Sequence, residues 1–75
     1  MQQEVNVRYG VINELDRMAF EKKWQIQAGY DYMTFDQEDA IKHCRKKGNG
    51  WIVEKIYNIP GKVVNYKNII FRGGN

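Results

Sequence analysis

The most constraining feature of this sequence is a capped helix near the middle of the chain. Asp36 is a suitable N-cap, because its carboxylate can accept hydrogen bonds from the free amides of a first helical turn. Glu38 and Asp39 place negative charge at the positive end of the helix dipole. Gly48 can adopt the left-handed conformation that ends a helix. These signals predict a helix from about residue 37 to residue 47.

The predicted helix has a narrow apolar side and a basic end. Ala40, Ile41 and Cys44 form a stripe that can face a sheet. Phe35 and Ala40 flank the cap at the positions of a hydrophobic staple, in which the two side chains touch. The last turns carry the cations that the negative end of a helix dipole favours, namely Lys42, Arg45, Lys46 and Lys47.

The region after the helix predicts a β-hairpin. Residues 51–57 and 63–71 are both rich in β-branched and aromatic side chains. Pro60 and Gly61 between them favour a turn. The first of these strands is apolar on both faces, with Trp51, Val53 and Tyr57 on one and Ile52 and Ile56 on the other. Since one narrow helix covers one face, we expect a loop, a second copy or a partner to cover the other.

Residues 5–11 alternate between apolar and polar, which predicts a half-buried strand. Two interpretations remain open for residues 11–23. Turn-type residues at 13–17, followed by alternation from Phe20 to Ala28, favour a hairpin with a second strand, which is the preferred interpretation. Val11, Ile12, Leu15, Met18 and Ala19 also fit the stripe of a short helix. The preferred fold is a single α+β domain over residues 1–75, ordered β-β-α-β-β, with one antiparallel sheet and one helix packed on one face.

Length and cysteine content limit the class of protein. A chain of 75 residues is one small domain, and its single cysteine cannot form an intrachain disulfide. Residues 1–4 lack the basic and apolar regions of a secretion signal. No apolar run approaches the ~20 residues that span a bilayer. We therefore expect no membrane association and a cytoplasmic location, which is the host cytosol if a phage encodes the chain.

Catalytic and metal sites lack their usual residues. His43 and Cys44 are the single histidine and cysteine, and neighbouring helical side chains diverge by about 100°, so they cannot share an ion or form a nucleophilic pair. The chain has no serine, and Gly48 and Gly50 follow a helix rather than precede one, as a phosphate loop requires. Asp31 could contribute to a pocket, but one carboxylate does not make a paired acid–base site. We expect no catalytic residue, no metal and no cofactor, and thus no enzyme.

Charge is unevenly distributed along the chain. Residues 1–40 hold four basic and eight acidic side chains, whereas residues 41–75 hold eight basic side chains and one acidic one. Cations interleaved with Trp51, Tyr57 and Tyr66 are typical of a surface that binds single-stranded nucleic acid, if they form one face. The candidates for an anionic partner are Lys42, Arg45, Lys46, Lys47, Lys55, Lys62, Lys67 and Arg72. Dipole complementation and protection of a strand edge explain the same lysines without nucleic acid.

About half of the chain resembles small phage and mobile-element proteins. The resemblance lies in the segment from Phe35 to Ile41, the basic helix end, Gly48, the strand that begins at Trp51 and the Pro-Gly hairpin. Proteins of that kind, some anti-CRISPR proteins among them, often act without catalysis by occupying a surface of a host enzyme or defence complex. The resemblance implies such a role but assigns no functional residue.

The sequence thus favours a non-enzymatic protein-binding module, a phage-type inhibitor or accessory factor whose partner is a host or defence protein. Self-association is an alternative use of the same apolar surface, and nucleic-acid binding is the alternative function. The candidates for contact with a partner are Trp51, Ile52, Ile56, Tyr57, Tyr66 and Ile70.

Overall fold

The computed structural model describes residues 3–22 and 29–74, and the side chains of residues 3–18 and 29–74. Within these ranges, four strands pair antiparallel in one sheet, in the order β2-β1-β3-β4. The α+β class and the antiparallel sheet with a main helix packed on it are confirmed. The elements are β1 (Val5–Asn13), α1 (Glu14–Lys22), β2 (Tyr32–Thr34), α2 (Gln37–Lys47), β3 (Trp51–Asn58) and β4 (Tyr66–Arg72).

The main helix α2 has the predicted limits and caps. The Asp36 side chain accepts a hydrogen bond from the Glu38 amide at 3.1 Å. At the other end, Gly48 has a φ of 89° and donates its amide to the Cys44 carbonyl at 3.0 Å. Capping and dipole interactions act within one or two turns, so the local sequence was sufficient to predict both ends of the helix.

The apolar stripe of α2 packs on one face of the sheet, here called the helix face. Ala40 and Cys44 are fully buried against Val11 of β1 and Val53 of β3. The predicted staple is wrong, because the Phe35 side chain remains 81% exposed.

The centre of the other face of the sheet, here called the opposite face, is also buried within the chain. Ile52, Glu54 and Ile56 of β3 are at most 3% exposed. Arg17 of α1 contacts the Glu54 Oε2 through its Nε at 2.6 Å, and the Tyr30 hydroxyl donates to Glu54 Oε1. Arg17 and Tyr30 thus close over the centre of this face, and Ile52 and Ile56 are buried core residues.

Residues 14–22 are helical, so the preferred hairpin interpretation is wrong. The alternative short helix is present but begins at Glu14, because Val11 and Ile12 belong to β1. The Asn13 side chain accepts a hydrogen bond from the Leu15 amide at 2.9 Å, which makes it a helix cap rather than a turn residue. The second strand of the sheet is Tyr32–Thr34. The predicted strand over 20–28 is helical at 20–22, and its remaining residues lie outside the described ranges.

The β3–β4 hairpin turns at Pro60 and Gly61, as predicted, and the Lys62 amide bonds to the Ile59 carbonyl at 3.0 Å. The last strand begins at Tyr66 rather than at residue 63. An irregularity in the β3–β4 register leaves Ile70 without an opposing residue, which is a β-bulge on an edge strand. Neither α1 nor α2 is long and apolar enough to cross a membrane.

Candidate functional site

The residues predicted to contact a partner do not form one surface. Ile52 and Ile56 are buried on the opposite face, whereas Trp51, Tyr57 and Tyr66 are half-buried. Ile70 is 37% exposed at the bulge of β4. A bulge bends an edge strand and hinders pairing with another chain, so the geometry of β4 opposes edge-to-edge association.

The predicted basic face is divided by the sheet. Arg45 and Lys47 of α2 lie over Phe71 and Trp51, and Lys55 shares the helix face of the sheet. Lys67 and Arg72 pair in register with residues of the opposite face, so their side chains project to the other side. The eight cations therefore do not line one continuous groove.

Several of these cations also have acidic partners. Lys47 lies 3.1 Å from Asp31, and Arg72 lies 2.5 Å from Glu14. Lys55 lies 2.6 Å from Glu4 and over the ring of Tyr57. Ion pairs of this kind reduce the charge that the basic half of the chain presents to a polyanion.

The aromatic residues of the last hairpin contact one another. The rings of Tyr57 and Tyr66 stack with centroids 5.6 Å apart, and Asn68 donates to the Tyr57 hydroxyl at 3.1 Å. These contacts hold two half-buried rings on the helix face beside Lys55. The pair is the part of the predicted stacking surface that the fold does assemble.

His43 and Cys44 lie in different environments, as their adjacent helical positions predict. His43 stacks on Tyr32 with ring centroids 4.3 Å apart, and its Nε2 lies 3.2 Å from Asp31 Oδ2. Cys44 is fully buried, and burial raises the pKa of its thiol. A thiol with a raised pKa and no access to solvent is a poor nucleophile. No group of three or more potential metal ligands occurs among the described residues.

A depression of about 380 Å³ opens at the end of the sheet where β1 begins and β3 ends. Its lining residues come from distant parts of the sequence: Asn6 and Arg8 of β1, Asn58 of β3, and Phe35 between β2 and α2. The sequence predicted none of these as a site residue. Its volume falls within the range of small-ligand pockets, but it is open to solvent.

Hydrogen bonds fix the polar side of this depression. Asn58 Nδ2 donates to Asn65 Oδ1 at 2.6 Å, and Asn6 Nδ2 donates to Asn58 Oδ1 at 3.3 Å. Arg8 donates from Nη1 to the Asn6 carbonyl at 2.6 Å and from Nη2 to Asn65 Oδ1 at 3.4 Å. The Asn6 carbonyl and the Asn65 side chain thereby hold the guanidinium group in a defined orientation, and Asn58 links Asn6 to Asn65.

The backbone at Asn6 is unusual. Asn6 has a φ of 55°, in the left-handed region that few residues other than glycine and asparagine adopt. The β1–β3 register is irregular between Val5 and Arg8, around this residue. Such irregularities redirect side chains and are frequent beside functional sites. Here the irregularity lies directly beside Arg8.

Exposed apolar side chains lie beside the polar depression. Phe35 lines it, and the carbonyl of Val64 accepts a hydrogen bond from Asn58 at 3.4 Å, which places the hairpin loop next to it. We call this combined region the Phe35 surface; it consists of Asn6, Arg8, Phe35, Asn58, Val64 and Asn65.

One signal in the sequence marks part of this surface. Asparagine is depleted from β-strands, yet Asn6 and Asn58 occur within strands and Asn65 directly precedes one. Their proximity depends on the pairing of β1, β3 and β4, which sequence spacing does not reveal. The exposure of Phe35 could not be predicted either, because its local pattern favours a staple.

Comparison of this chain with protein-family models, with curated proteins and with solved structures finds no match.

Proposed function

We propose that this chain is a non-enzymatic protein-binding module, a phage-type inhibitor or accessory factor that acts in the host cytoplasm. It binds a host or defence protein through the Phe35 surface. The resemblance of the helix–hairpin segment to small phage proteins agrees with this role, and the buried, protonated thiol of Cys44 does not favour covalent catalysis.

The single observation that carries the proposal is the exposure of Phe35. Its side chain is 81% exposed although the sequence places an apolar residue at the staple position of the adjacent helix. Burying a phenylalanine side chain contributes roughly 1.5–3 kcal/mol. A partner that covers the ring would recover this free energy, and aromatic side chains are enriched at the centres of protein interfaces.

The polar part of the surface supports the same function. Asn6, Arg8 and Asn58 are already held by hydrogen bonds within the chain. Binding therefore orders few additional side chains, which lowers the entropic cost of association. An anchor ring beside fixed polar groups is the arrangement expected of an interface.

The proposal is tested by affinity capture from a lysate of the native host, with mass spectrometry of the retained proteins. The variant F35A should lose the partner that the unaltered chain retains. L15A is the matched control, because Leu15 is 75% exposed but lies at the start of α1, beside Gly50 at the far end of β3. L15A should retain the partner.

Equal retention of every protein by the unaltered chain and F35A would contradict the proposal. Light scattering on the purified chain tests whether a second copy of the chain, instead of a host protein, covers this surface. A dimer that F35A converts to a monomer would replace the host protein with self-association as the function of the Phe35 surface.

Nucleic-acid binding is a second candidate, favoured by the stacked rings of Tyr57 and Tyr66 beside Lys55. It predicts affinity for single-stranded oligonucleotides that falls steeply as salt rises, because phosphate contacts release counterions. Replacing Lys46 and Lys47 with glutamate should then abolish binding. Unchanged binding by K46E/K47E would count decisively against this candidate.

A further inference from the structure

Arg8 differs from the other three arginines of the chain in that, among the described side chains, it forms no ion pair with a carboxylate and does not lie over an aromatic ring. Arg17 contacts Glu54, Arg72 contacts Glu14, and Arg45 lies over the ring of Phe71. Arg8 is half-buried, and its hydrogen bonds go to the Asn6 carbonyl and the Asn65 amide oxygen. No carboxylate of the described side chains forms an ion pair with it.

The orientation of Arg8 leaves it able to bind an anion. A guanidinium group has five N–H donors, and the two hydrogen bonds to neutral oxygens do not neutralise its charge. These bonds nevertheless hold the planar group in place, so a ligand would meet it already oriented. Guanidinium groups bind carboxylates strongly because two parallel hydrogen bonds can form.

Arg8 is the charged residue in the lining of the depression. The four residues that line the depression include no acidic side chain. Glu4, which is close in sequence, is engaged with Lys55 at 2.6 Å. Lys67 and Arg8 both pair in register with Ile56, from its two sides, so both cations lie in one row across the opposite face. The charge of the depression is thus complementary to an anion.

The apolar side chains decide between kinds of anionic partner. Phe35 lines the depression, and Val64 lies beside it. Interfaces with nucleic acids are more polar and far more positively charged than this surface, whereas apolar contacts around a charged pair are usual between proteins. The basic residues of α2 cannot add to this surface, because α2 packs on the helix face of the sheet.

We propose that the Phe35 surface binds a carboxylate-bearing segment of the protein partner. The carboxylate of an aspartate, a glutamate or a chain terminus pairs with Arg8, and an adjacent apolar side chain packs on Phe35. This inference rests on the proposed function and specifies the chemistry that the same surface recognises.

The experiment is an NMR titration of the full, isotope-labelled chain with synthetic peptides. The first probe is a pentapeptide of leucine alternating with glutamate and aspartate, blocked at both ends. The second has glutamine and asparagine in place of the acids, and the third is this neutral peptide with a free terminal carboxylate. Short oligothymidylate is the fourth probe.

We expect the acidic peptide, or the peptide with a free terminal carboxylate, to shift the Arg8 Nε signal and the side-chain amides of Asn6 and Asn58. Which of the two binds identifies the source of the carboxylate. R8Q should weaken this binding by about tenfold, the change expected for a lost charged hydrogen-bonded pair. R45Q is the matched control, because Arg45 lies on α2, and it should bind as the unaltered chain does.

Equal binding of the blocked neutral peptide overturns the carboxylate inference, and so does the absence of binding by either carboxylate peptide at millimolar concentration. Oligothymidylate that shifts the same signals when neither peptide does so also overturns it. In each of these cases, loss of host-protein capture by F35A would still support the proposed function. The signal shifts in the unaltered chain remain decisive if R8Q does not fold.

Discussion

The ring of Tyr30 lies directly against Gly10 of β1. A Cβ atom at residue 10 would lie 3.0 Å from Tyr30 Cγ and closer still to two other ring carbons, so only glycine allows this approach. The Tyr30 hydroxyl donates to Glu54, and burial together with this bond raises the pKa of Tyr30. Through these contacts, Tyr30 is fixed over the opposite face of the sheet.

We expect G10A to destabilise the protein by about 1–3 kcal/mol, because the added methyl group displaces the Tyr30 ring and its hydrogen bond to Glu54. Urea unfolding followed by circular dichroism measures this change. In a Y30A background the same substitution should cost much less, since the ring that it displaces is absent. An equal cost in both backgrounds would show that the contact with Tyr30 is not the cause.

The buried carboxylate of Glu54 should be more important for stability than the exposed carboxylates. Glu54 is 1% exposed and contacts Arg17 at 2.6 Å. E54Q keeps the shape but removes the buried negative charge that the Arg17 guanidinium contacts, so we expect a loss of roughly 2–4 kcal/mol in the free energy of unfolding. E14Q is the control, because the Glu14–Arg72 pair is exposed and should contribute about 1 kcal/mol or less. A similar cost for both variants would contradict this prediction.

Asp31 should make stability depend on pH in the acid range. Hydrogen bonds from His43 and Lys47 hold the pKa of this carboxyl below its ordinary value of 3.8. A group with a lowered pKa in the folded state stabilises the protein above its unfolded pKa, and this contribution is lost as the pH falls through the folded pKa. The stability advantage of the unaltered chain over D31N should therefore be present at about pH 5 and shrink below about pH 4.

Urea unfolding at a series of pH values measures this difference. D16N is the control, because the carboxylate of Asp16 forms no ion pair with the described side chains. The free energy of unfolding of D16N should follow that of the unaltered chain more closely across the same pH range. A D31N curve parallel to that of the unaltered chain down to about pH 2 would rule out the predicted contribution of Asp31.

The left-handed backbone at Asn6 should reverse the usual order of alanine and glycine. In an ordinary strand position, glycine is less stable than alanine by roughly 0.5–1 kcal/mol. At a φ of 55° we expect N6G to be more stable than N6A by about 1 kcal/mol, because a Cβ atom is strained there. Lys67 of β4 is the control position, where K67A should be more stable than K67G. Thermal unfolding measures both pairs, and the same order at both positions would refute the prediction.

The parts of the fold that sequence analysis predicted are those that local interactions specify. The limits of α2 follow from Asp36 and Gly48, and the hairpin turn follows from Pro60 and Gly61. Residues 14–22 were predicted less well because asparagine and aspartate favour both turns and helix caps. The local pattern around Asn13 is compatible with either structure, and packing on the sheet selects the helix.

The sequence by itself determined the α+β class, the capped helix α2 and the apolar character of both faces of β3, because each depends on residues within a few turns or on strand alternation. Tertiary structure alone decided what covers the opposite face and where Phe35 and Arg8 lie. The Phe35 surface joins residues 6, 8, 35, 58 and 65, and only the pairing of distant strands brings their side chains together. Long-range pairing carries no periodic signal in the chain, which is why the candidate site became visible only in three dimensions.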